Sequence, residues 1–302
     1  MEGFADKEAL RRLCIEAGAC AAGFARIEPV SDEAVAIYDG WLASGRHGTM
    51  AYMENYAEVR RNPALLLDGG AQTLISCAFA YTSHELPRSP LFADYALGSD
   101  YHEVLRKALA PVTAYLEEIT PGTRICVDSA PLRERYWAQQ AGIGFVGLNN
   151  QLIVPGVGSC VFLAEILWKG IVEPDEPMRR HCDGCRACVK ACPGHALDGN
   201  GGLDAHRCLS YLTIEHRGDL PEGLRLPGRI YGCDICREVC PLGQSDKPVS
   251  VLPDLMPRQS ILDLTVADIR GLDQPSFSRI FSHSAVKRAK LAGLLRNASF
   301  KK

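Results

Sequence analysis

The sequence has no apolar run long enough to cross a bilayer, and its start lacks an apolar segment of the length that a secretory signal needs. The densest apolar stretch, residues 160–168, is interrupted by Glu165 and falls well short of the ~20 residues of a membrane-spanning helix. We therefore expect a soluble protein that is not exported, contacts no membrane and is located in the cytoplasm.

A strong excess of charge of one sign is also missing, because 33 lysines and arginines face 36 acidic residues and give a net charge of −3. No global field therefore draws the chain to nucleic acid, and a polyanionic partner has to use a local patch. Residues 274–302 offer one, since they contain basic residues and no acidic residue. This tail is either a solvated helix face or a contact for an RNA backbone.

Hydrophobic residues make up 47% of the 302 positions, enough to bury a core in one large or two medium domains. Helical and strand patterns alternate in the first half. Helices are expected in the first ~25 residues, after the capping residue Asp100 and in 132–141, and strands in 73–81, 124–128, 151–154 and 160–167. Pro111 is expected to kink or split the second helix. The pattern predicts an α/β sandwich whose strand order stays open.

Thirteen cysteines are present, and in a chain that is not exported thiols bind metals or catalyse reactions more often than they form disulfides. Five lie singly in apolar surroundings and are expected to be buried core thiols: Cys14, Cys20, Cys77, Cys126 and Cys160. The other eight lie between positions 182 and 240.

These eight cysteines form two runs. The first reads Cys182-Asp-Gly-Cys185-Arg-Ala-Cys188-Val-Lys-Ala-Cys192-Pro193, the complete bacterial ferredoxin pattern, in which the fourth cysteine binds a neighbouring cluster. The second comprises Cys208 and Cys233-Asp-Ile-Cys236-Arg-Glu-Val-Cys240-Pro241. Exchanging the last cysteine of each run predicts two four-ligand sites, one of Cys182, Cys185, Cys188 and Cys240, the other of Cys192, Cys208, Cys233 and Cys236.

Two structural zinc sites are the alternative, because two-residue spacings also suit tetrahedral zinc. Zinc does not require a third cysteine after two more residues and a fourth before a proline, so the spacing favours two 4Fe-4S clusters. Such a pair carries electrons one at a time. A free ferredoxin needs little else, whereas the whole first half precedes the clusters here, and this favours an enzyme over a carrier.

The expected fold class is therefore α+β, with an N-terminal α/β sandwich domain followed by a bacterial-ferredoxin-like domain that holds two clusters. An acidic, proline-rich stretch at 174–177 marks the expected junction. We divide the chain into 1–173, 174–245 and a basic, helical C-terminal extension at 246–302.

Asp128 is the candidate catalytic residue outside the clusters, because it ends a strand and opens into a loop, where α/β proteins often place working side chains. Burial is expected to raise its pKa so that it acts as a general acid, although a helix cap explains its position equally well. Arg133 and Arg135 suit phosphate or carboxylate groups, or an exposed helix face. His102 and His216 are expected to be structural.

Several segments together form a longer pattern. They are Ser99-Asp-Tyr-His-Glu-Val-Leu105, Val127-Asp-Ser-Ala-Pro131, Ala141-Gly-Ile-Gly144, both cysteine runs, Arg207-Cys-Leu-Ser-Tyr-Leu-Thr-Ile-Glu-His216 and Arg229-Ile-Tyr-Gly-Cys-Asp234. In this order they resemble the epoxyqueuosine reductase family, and the resemblance runs from about Tyr52 to Asn297.

This resemblance implies a cobalamin-dependent enzyme of queuosine biosynthesis that reduces epoxyqueuosine to queuosine at the wobble position of tRNA. In the family the two clusters reduce cobalamin, so residues 1–173 are expected to form the cobalamin and substrate domain. The implied partners are tRNA and an external electron donor of the flavodoxin or ferredoxin type, and the chain is expected to act as a monomer.

The resemblance also implies roles for single residues. Asp128 corresponds to the proposed proton donor to the departing oxygen and is expected to lie at cobalamin. The other residues expected there are Arg60, Leu152, Leu163, Ser210, His216 and Asp234. Arg135 and Arg217 are expected near the substrate or the tRNA.

The sequence departs from the family pattern in two ways. Many members continue past Leu294-Leu-Arg-Asn297 into a helical-repeat domain that this sequence does not include, so part of a tRNA contact surface is expected to be missing. Leu148 stands where members often carry a basic residue, and Leu242 follows Cys240-Pro where tryptophan is frequent.

Two other functions stay open on the sequence alone. Reductive dehalogenases resemble this family in pairing cobalamin with two such clusters, but they are usually exported behind a twin-arginine signal, which is not found here. The second alternative is an electron-transfer protein whose N-terminal half docks a partner enzyme.

Overall fold

The computed structural model describes residues 4–243, 245 and 249–300. Within these ranges, no helix is both long enough and apolar enough to span a membrane. The strands are β1 (Ala21–Arg26), β2 (Thr73–Ala80), β3 (Thr123–Cys126), β4 (Phe145–Val146), β5 (Leu152–Ile153) and β6 (Val161–Trp168). The helices are α1 (Lys7–Glu16), α2 (Asp32–Ala43), α3 (Ala57–Arg61), α4 (Tyr101–Ile119), α5 (Glu134–Gln140), α6 (Ala187–Ala191), α7 (Leu209–Ile214), α8 (Ile235–Glu238), α9 (Gln259–Leu262), α10 (Val266–Arg270), α11 (Gln274–Ile280) and α12 (Lys290–Ser299).

A four-stranded antiparallel sheet forms the centre of the N-terminal half, in the order β1-β2-β6-β3. The two central strands pair over eight residues, from Thr73 opposite Trp168 to Ala80 opposite Val161. Every residue of β2 is buried, as its continuous apolar run predicts for a strand covered on both faces. β4 and β5 form a separate hairpin. The mixed α+β class expected from the sequence is confirmed.

Helices cover both faces of this sheet. On one face, α1 and α4 bury Leu10, Leu105, Leu109 and other apolar residues against Phe24 and Ile75. On the other face, α5 inserts Trp137 into an apolar cluster with residues of β1, β2 and β6. Helical spacing of the apolar residues therefore directs each helix onto the sheet.

The expected break at Pro111 does not occur, because α4 runs as one helix from Tyr101 to Ile119 with the proline inside it. A proline removes one backbone donor but has a φ close to that of a helix. Burial of Leu109 and Val112 on either side of the proline holds the helix together. The continuous helix places Tyr101 and His102 at its N-terminal end, where the candidate active site lies.

The C-terminal helices join a second apolar core that they share with residues from much earlier in the chain. Phe277, Phe281 and Leu294 pack with Phe92 and Tyr231. This core therefore crosses the boundary expected at residue 246, and the basic extension is packed against the rest of the chain.

Polar contacts also hold the end of the chain in place. The Arg296 guanidinium donates to the carbonyls of Leu212, at 2.8 Å, and Gly218, at 2.6 Å. The Asn297 amide donates to the carbonyls of Thr213 and Ile230, both at 2.8 Å. These bonds attach α12 to α7 and to the segment that leads to Cys233.

Candidate active site and cluster sites

The first predicted set of cysteines lies together. Burial raises the pKa of the Cys188 thiol, and the neighbouring sulfurs of Cys240, Cys182 and Cys185 raise it further. Burial likewise raises the pKa of Cys240, with Cys182 and Cys185 again beside it. The crossover ligand from the second run therefore meets the three cysteines of the first run.

The second predicted set is equally compact. Burial raises the pKa of Cys236 to about 12, and the sulfurs of Cys233, Cys208 and Cys192 contribute in that order. Cys188 of the first set adds a smaller contribution, so the two sets are neighbours. This is the arrangement that an electron relay between two clusters requires.

The spacing of the sulfurs distinguishes a cluster from a zinc ion. All eight cysteines are free thiols, and nowhere in the described ranges do three cysteine sulfurs lie within 4.8 Å of one another. Four thiolates around one zinc at a Zn–S distance of 2.3 Å would be only about 3.8 Å apart. The sulfurs of each set are therefore spaced more widely than a zinc tetrahedron requires.

Backbone amides also point at the ligand sulfurs. The Leu148 amide donates to Cys182 Sγ at 3.4 Å, and the Ala196 amide donates to Cys192 Sγ at 3.3 Å. Hydrogen bonds of this kind stabilise negative charge on cluster sulfurs and help to set the reduction potential.

Asp128 lies two residues beyond β3 with a φ of 54°, in the left-handed region that few aspartates occupy. Its side chain is 61% exposed, so the carboxylate is open to solvent. The Tyr101 hydroxyl donates to Asp128 Oδ2 at 2.6 Å. His102 Nε2 lies 3.6 Å from the same oxygen, and His102 Nδ1 contacts Asp100 Oδ1 at 2.7 Å. Asp128 therefore belongs to a chain of proton-carrying groups rather than serving as a plain helix cap.

The expectation that burial raises the pKa of Asp128 is wrong. Partial desolvation does push this pKa upward, but interactions with His102 and Tyr101 outweigh it and lower the pKa below its usual value. Desolvation similarly opposes the charged form of His102, yet Asp100 and Asp128 raise its pKa to about 9. Near neutral pH the shared proton therefore resides on His102, and Asp128 is an anion.

Two further carboxyl groups lie behind Asp128. Glu134 accepts a hydrogen bond from the Asp128 amide at 2.5 Å, which fixes the backbone of the loop that carries Asp128. Desolvation and the charge of Asp128 raise the pKa of Glu134 to about 8. Glu165 on β6 is fully buried, accepts from Ser76 Oγ at 3.2 Å, and has a pKa raised strongly by desolvation and by Glu134. Burial and the neighbouring carboxylates therefore favour the protonated form of both glutamates.

Tyr52, Arg288 and Glu215 form a second group of interacting side chains near Asp128. Arg288 binds Glu215 through two hydrogen bonds of 2.7 and 2.8 Å, and its guanidinium lies over the Tyr52 ring at 5.5 Å. Desolvation, with Glu215 and the more distant Asp128 contributing, raises the pKa of Tyr52 to about 12. The Arg288 charge is thus already compensated, whereas the exposed side chains of Lys287 and Lys290 make no ion pair with any described carboxylate.

The residues expected at cobalamin offer both apolar and polar groups. Leu152 is buried and Leu163 is half-buried in one apolar cluster. Ser210 lies on α7, and His216 follows this helix with Nε2 at 2.9 Å from the Asp219 carbonyl. Arg60 donates to the carbonyls of Asn55 and Tyr52. Apolar and polar groups of these kinds suit a large ring with amide side chains.

Asp234, also expected at cobalamin, is buried in a charged network. Its carboxylate contacts Arg229 at 3.3 Å and Arg237 at 3.0 Å. Asp94 and Glu238 lie within 4.8 Å of it, a spacing that suits a metal, but the same two arginines contact them at 3.2 and 2.9 Å. The network is therefore a set of ion pairs that anchors the chain next to Cys233.

The arginines expected near the substrate are held by backbone carbonyls. Arg135 binds the carbonyl and the side-chain oxygen of Asn150. Arg217 donates to the carbonyls of Ile214, Ala289 and Arg288, the last at 2.7 Å. Both are exposed, so these bonds orient the guanidinium groups without removing them from solvent.

Sequence reasoning missed part of this site. Tyr101 and His102 were visible only as members of a family segment, and His102 was expected to be structural for want of a partner. In the sequence, Glu165 stands out only as the charged residue that interrupts an apolar run, and nothing in the sequence indicates a role for Glu134. Their proximity depends on how β3, β6 and the start of α4 meet in space.

Comparison with known proteins supports both halves of the site. A family model described as "4Fe-4S double cluster binding domain" matches residues 181–243. A second model, "Epoxyqueuosine reductase QueG, DUF1730", matches residues 60–129.

Full-length relatives show the same similarity. An epoxyqueuosine reductase of Cellulophaga algicola is 35% identical over 294 residues, covering 95% of each chain. A crystal structure of epoxyqueuosine reductase with an epoxyqueuosine-modified tRNA-Tyr stem loop matches with a TM-score of 0.86 and 31% identity, over 97% of this chain and 80% of that one. The Bacillus subtilis epoxyqueuosine reductase, in a structure with its catalytic aspartate loop swung out of the active site, matches with a TM-score of 0.87 and 30% identity over the same shares.

Proposed function

Because the chain belongs to the epoxyqueuosine reductase family, we propose that it reduces epoxyqueuosine to queuosine at the wobble position of tRNA, using two 4Fe-4S clusters and cobalamin. The observation that carries this proposal is the solvent-open Asp128 carboxylate with a proton-holding histidine beside it, in the same chain as two neighbouring four-cysteine sets. An electron carrier would have no use for the first of these features.

The reaction needs two electrons and two protons, because the epoxide becomes an alkene and its oxygen leaves as water. The two cysteine sets hold the electron relay. Cys192, Cys208, Cys233 and Cys236 form the set next to α7 and Asp234, so this cluster is proposed to be the one nearer the substrate.

Cobalamin would be held by apolar and polar side chains of this chain. The residues that would hold it are Arg60, Leu152, Leu163, Ser210, His216 and Asp234. In a low oxidation state it supplies a nucleophile and electrons that no side chain provides. Among these residues Asp234 acts indirectly, because its ion pairs with Arg229 and Arg237 fix the backbone that follows Cys233.

Asp128 and His102 are proposed to deliver the proton to the departing oxygen. An alkoxide leaving group needs a proton at or near the transition state. His102 holds that proton at neutral pH, and Asp128 reaches into solvent where the substrate binds. Opening of the epoxide would draw the proton from His102 through the Asp128 carboxylate, with Tyr101 holding the carboxylate in place.

Substrate tRNA is proposed to reach Asp128 along the face that carries Arg135, Arg217 and the exposed Lys287 and Lys290. The charges on this face lie in a chain whose net charge is −3, so they would act as a local patch on the phosphate backbone. We further propose that the chain works as a monomer in the cytoplasm and takes its electrons from a flavodoxin- or ferredoxin-type donor. The ranges 1–173, 174–245 and 246–302 are proposed as its substrate, cluster and tRNA-facing parts.

One experiment tests the proposed function directly. The protein is purified without oxygen, its iron, sulfide and corrin are quantified, and it is then incubated with epoxyqueuosine-containing tRNA and an inorganic reductant. We expect two clusters and one corrin per chain, and queuosine in the nucleosides of the digested tRNA. Zinc in the cysteine sets, or unchanged epoxyqueuosine with a fully loaded and reduced protein, would contradict the proposal.

A further inference from the structure

Cys185 is the one exposed residue among the eight cluster cysteines, all of which lie in described parts of the chain. Its set is therefore the cluster site closest to solvent and is called the outer cluster, and the set that contains Cys208 and Cys233 is called the inner cluster. Electrons tunnel efficiently only over short distances, so a donor protein has to approach the surface around Cys185. The chemistry of that surface decides which donor fits.

Basic side chains dominate this surface. We define the cluster-side basic surface as Arg179, Arg180, His181, Arg186 and Lys190, all of which are exposed. No ion pair joins any of them to a carboxylate within the described ranges. The nearest acid in sequence, Asp183, accepts a hydrogen bond from the Cys185 amide at 3.3 Å and thus helps to shape the ligand loop.

Along the chain, the basic residues precede, interrupt and follow the first three cysteines of the first run. Arg180 lies over the Phe145 ring at 5.7 Å, and three residues later the Leu148 amide contacts Cys182 Sγ. Arg186 directly follows Cys185, and its carbonyl accepts from the Lys190 amide in α6. The positive charge therefore lies on both sides of the exposed cysteine.

The cluster-side basic surface is separate in the chain from the basic residues near Asp128. Lys287 and Lys290 belong to the C-terminal segment that packs on α7, whereas Arg179 to Lys190 precede and include α6. A chain with a net charge of −3 thus places unpaired positive charge at two positions, one at the substrate side and one at the outer cluster.

We propose that the cluster-side basic surface docks a small, acidic one-electron carrier protein whose redox group is at its own surface. This inference rests on the proposed function, because it assumes that the cysteine sets hold clusters. Complementary charge steers two proteins into encounter and orients them, so it increases the association rate more than it increases the affinity. The short-lived complex that results suits a donor that must leave after each transfer.

The electron count requires repeated docking. In each encounter the carrier is oxidised by one electron and the outer cluster is reduced by one. Two encounters supply the two electrons that, with two protons, convert the epoxide into an alkene and water.

The test uses the cluster-loaded protein and a double charge reversal, Arg179→Glu with Lys190→Glu. The matched control, Arg26→Glu with Lys107→Glu, changes the net charge equally at side chains that are 78% and 84% exposed and lie outside both basic regions. Flavodoxin in its reduced form is the donor. Cluster reduction is followed by its visible absorbance in a stopped-flow instrument at several salt concentrations, and the affinity for flavodoxin is measured by calorimetry.

We expect the Arg179/Lys190 variant to be reduced by flavodoxin at least about tenfold more slowly at low salt, with a flatter salt dependence. Its affinity for flavodoxin should fall as well. Reduction by dithionite, which needs no docking surface, and the affinity for tRNA should equal those of the unmodified protein. The control variant should differ little in every measurement.

Three results would overturn the proposal. Equal flavodoxin rates in the two variants would show that the surface does not dock the donor. A selective loss of tRNA affinity in the Arg179/Lys190 variant would assign the surface to RNA. A failure of dithionite to reduce the unmodified protein would instead show that the cysteine sets do not hold reducible clusters, and would contradict the proposed function itself.

Discussion

Replacing His102 by glutamine should move the alkaline limit of activity by several pH units. The pKa of His102 is raised to about 9, so nearly every molecule of the unmodified protein holds the shared proton at pH 7.5. In the variant the proton has to reside on Asp128 alone. At the usual aspartate pKa of about 3.9, fewer than about one molecule in a thousand would be protonated at that pH, and loss of the His102 charge together with partial desolvation offsets one or two of those units.

The expected effect is therefore a rate roughly 40- to 400-fold lower at pH 7.5, close to the range that general acids contribute. The unmodified protein should keep its rate up to about pH 8.5 and lose it above pH 9, since the proton dissociates from His102 there. The variant should lose about tenfold per pH unit across the neutral range, because each unit removes nine-tenths of the protonated Asp128.

The assay is a single turnover with excess cluster- and corrin-loaded protein, epoxyqueuosine-containing stem-loop RNA and dithionite, between pH 5.5 and 10, with the nucleosides analysed by mass spectrometry. His84→Gln serves as the control, because His84 is 48% exposed and its Nε2 lies 3.9 Å from Glu85, outside the group around Asp128. If His102→Gln retains a single loss of activity near pH 9, the shared proton is not held by His102 and the proposed delivery through Asp128 is wrong.

Three further substitutions test other parts of the site. Asp128→Asn should leave iron and corrin contents unchanged and slow epoxide reduction by about 10²- to 10⁴-fold, and an unchanged single-turnover rate would remove this residue from the mechanism. Glu134→Gln should raise the melting temperature more at pH 8.5 than at pH 5. The Glu134 carboxyl has a pKa raised to about 8 in the folded protein, so it keeps a proton that the unfolded chain loses above about pH 4.5. The unmodified protein therefore loses stability as the pH rises between these two values, and the glutamine variant does not. Equal gains at both pH values would contradict that titration. Converting Lys287 and Lys290 to alanine should reduce the slope of log affinity for tRNA against log salt concentration by about 1.5. An unaltered slope would show that the two lysines are solvated surface residues that do not contact tRNA.

Much of the fold follows from local sequence pattern. The run from Thr73 to Ala80 is mostly apolar and rich in residues that favour strands, which indicates a strand covered on both faces. The cysteine spacing is a chemical constraint of the same local kind, because a cube-shaped cluster dictates where its ligands lie along the chain. These features were therefore readable without knowing how distant segments meet.

The candidate site is formed by segments that are distant in the chain, so it was less predictable from the sequence. Nothing local indicates that His102, at the start of a helix, meets Asp128 at the end of a strand 26 residues later. The sign of the Asp128 pKa shift depends on that contact, since desolvation alone would have raised it. Pro111 shows the same limit in the fold, because packing on either side of the proline overrides a local helix breaker.

The Asn297 amide has a consequence for how the protein matures. It bridges the carbonyl of Thr213, soon after Cys208, and the carbonyl of Ile230, shortly before Cys233. Two ligands of the inner cluster are thus brought into position by a side chain that the ribosome adds 64 residues after Cys233. Iron loading of that site is therefore expected to wait until Asn297 is in place, whereas three ligands of the outer site lie together in one short loop.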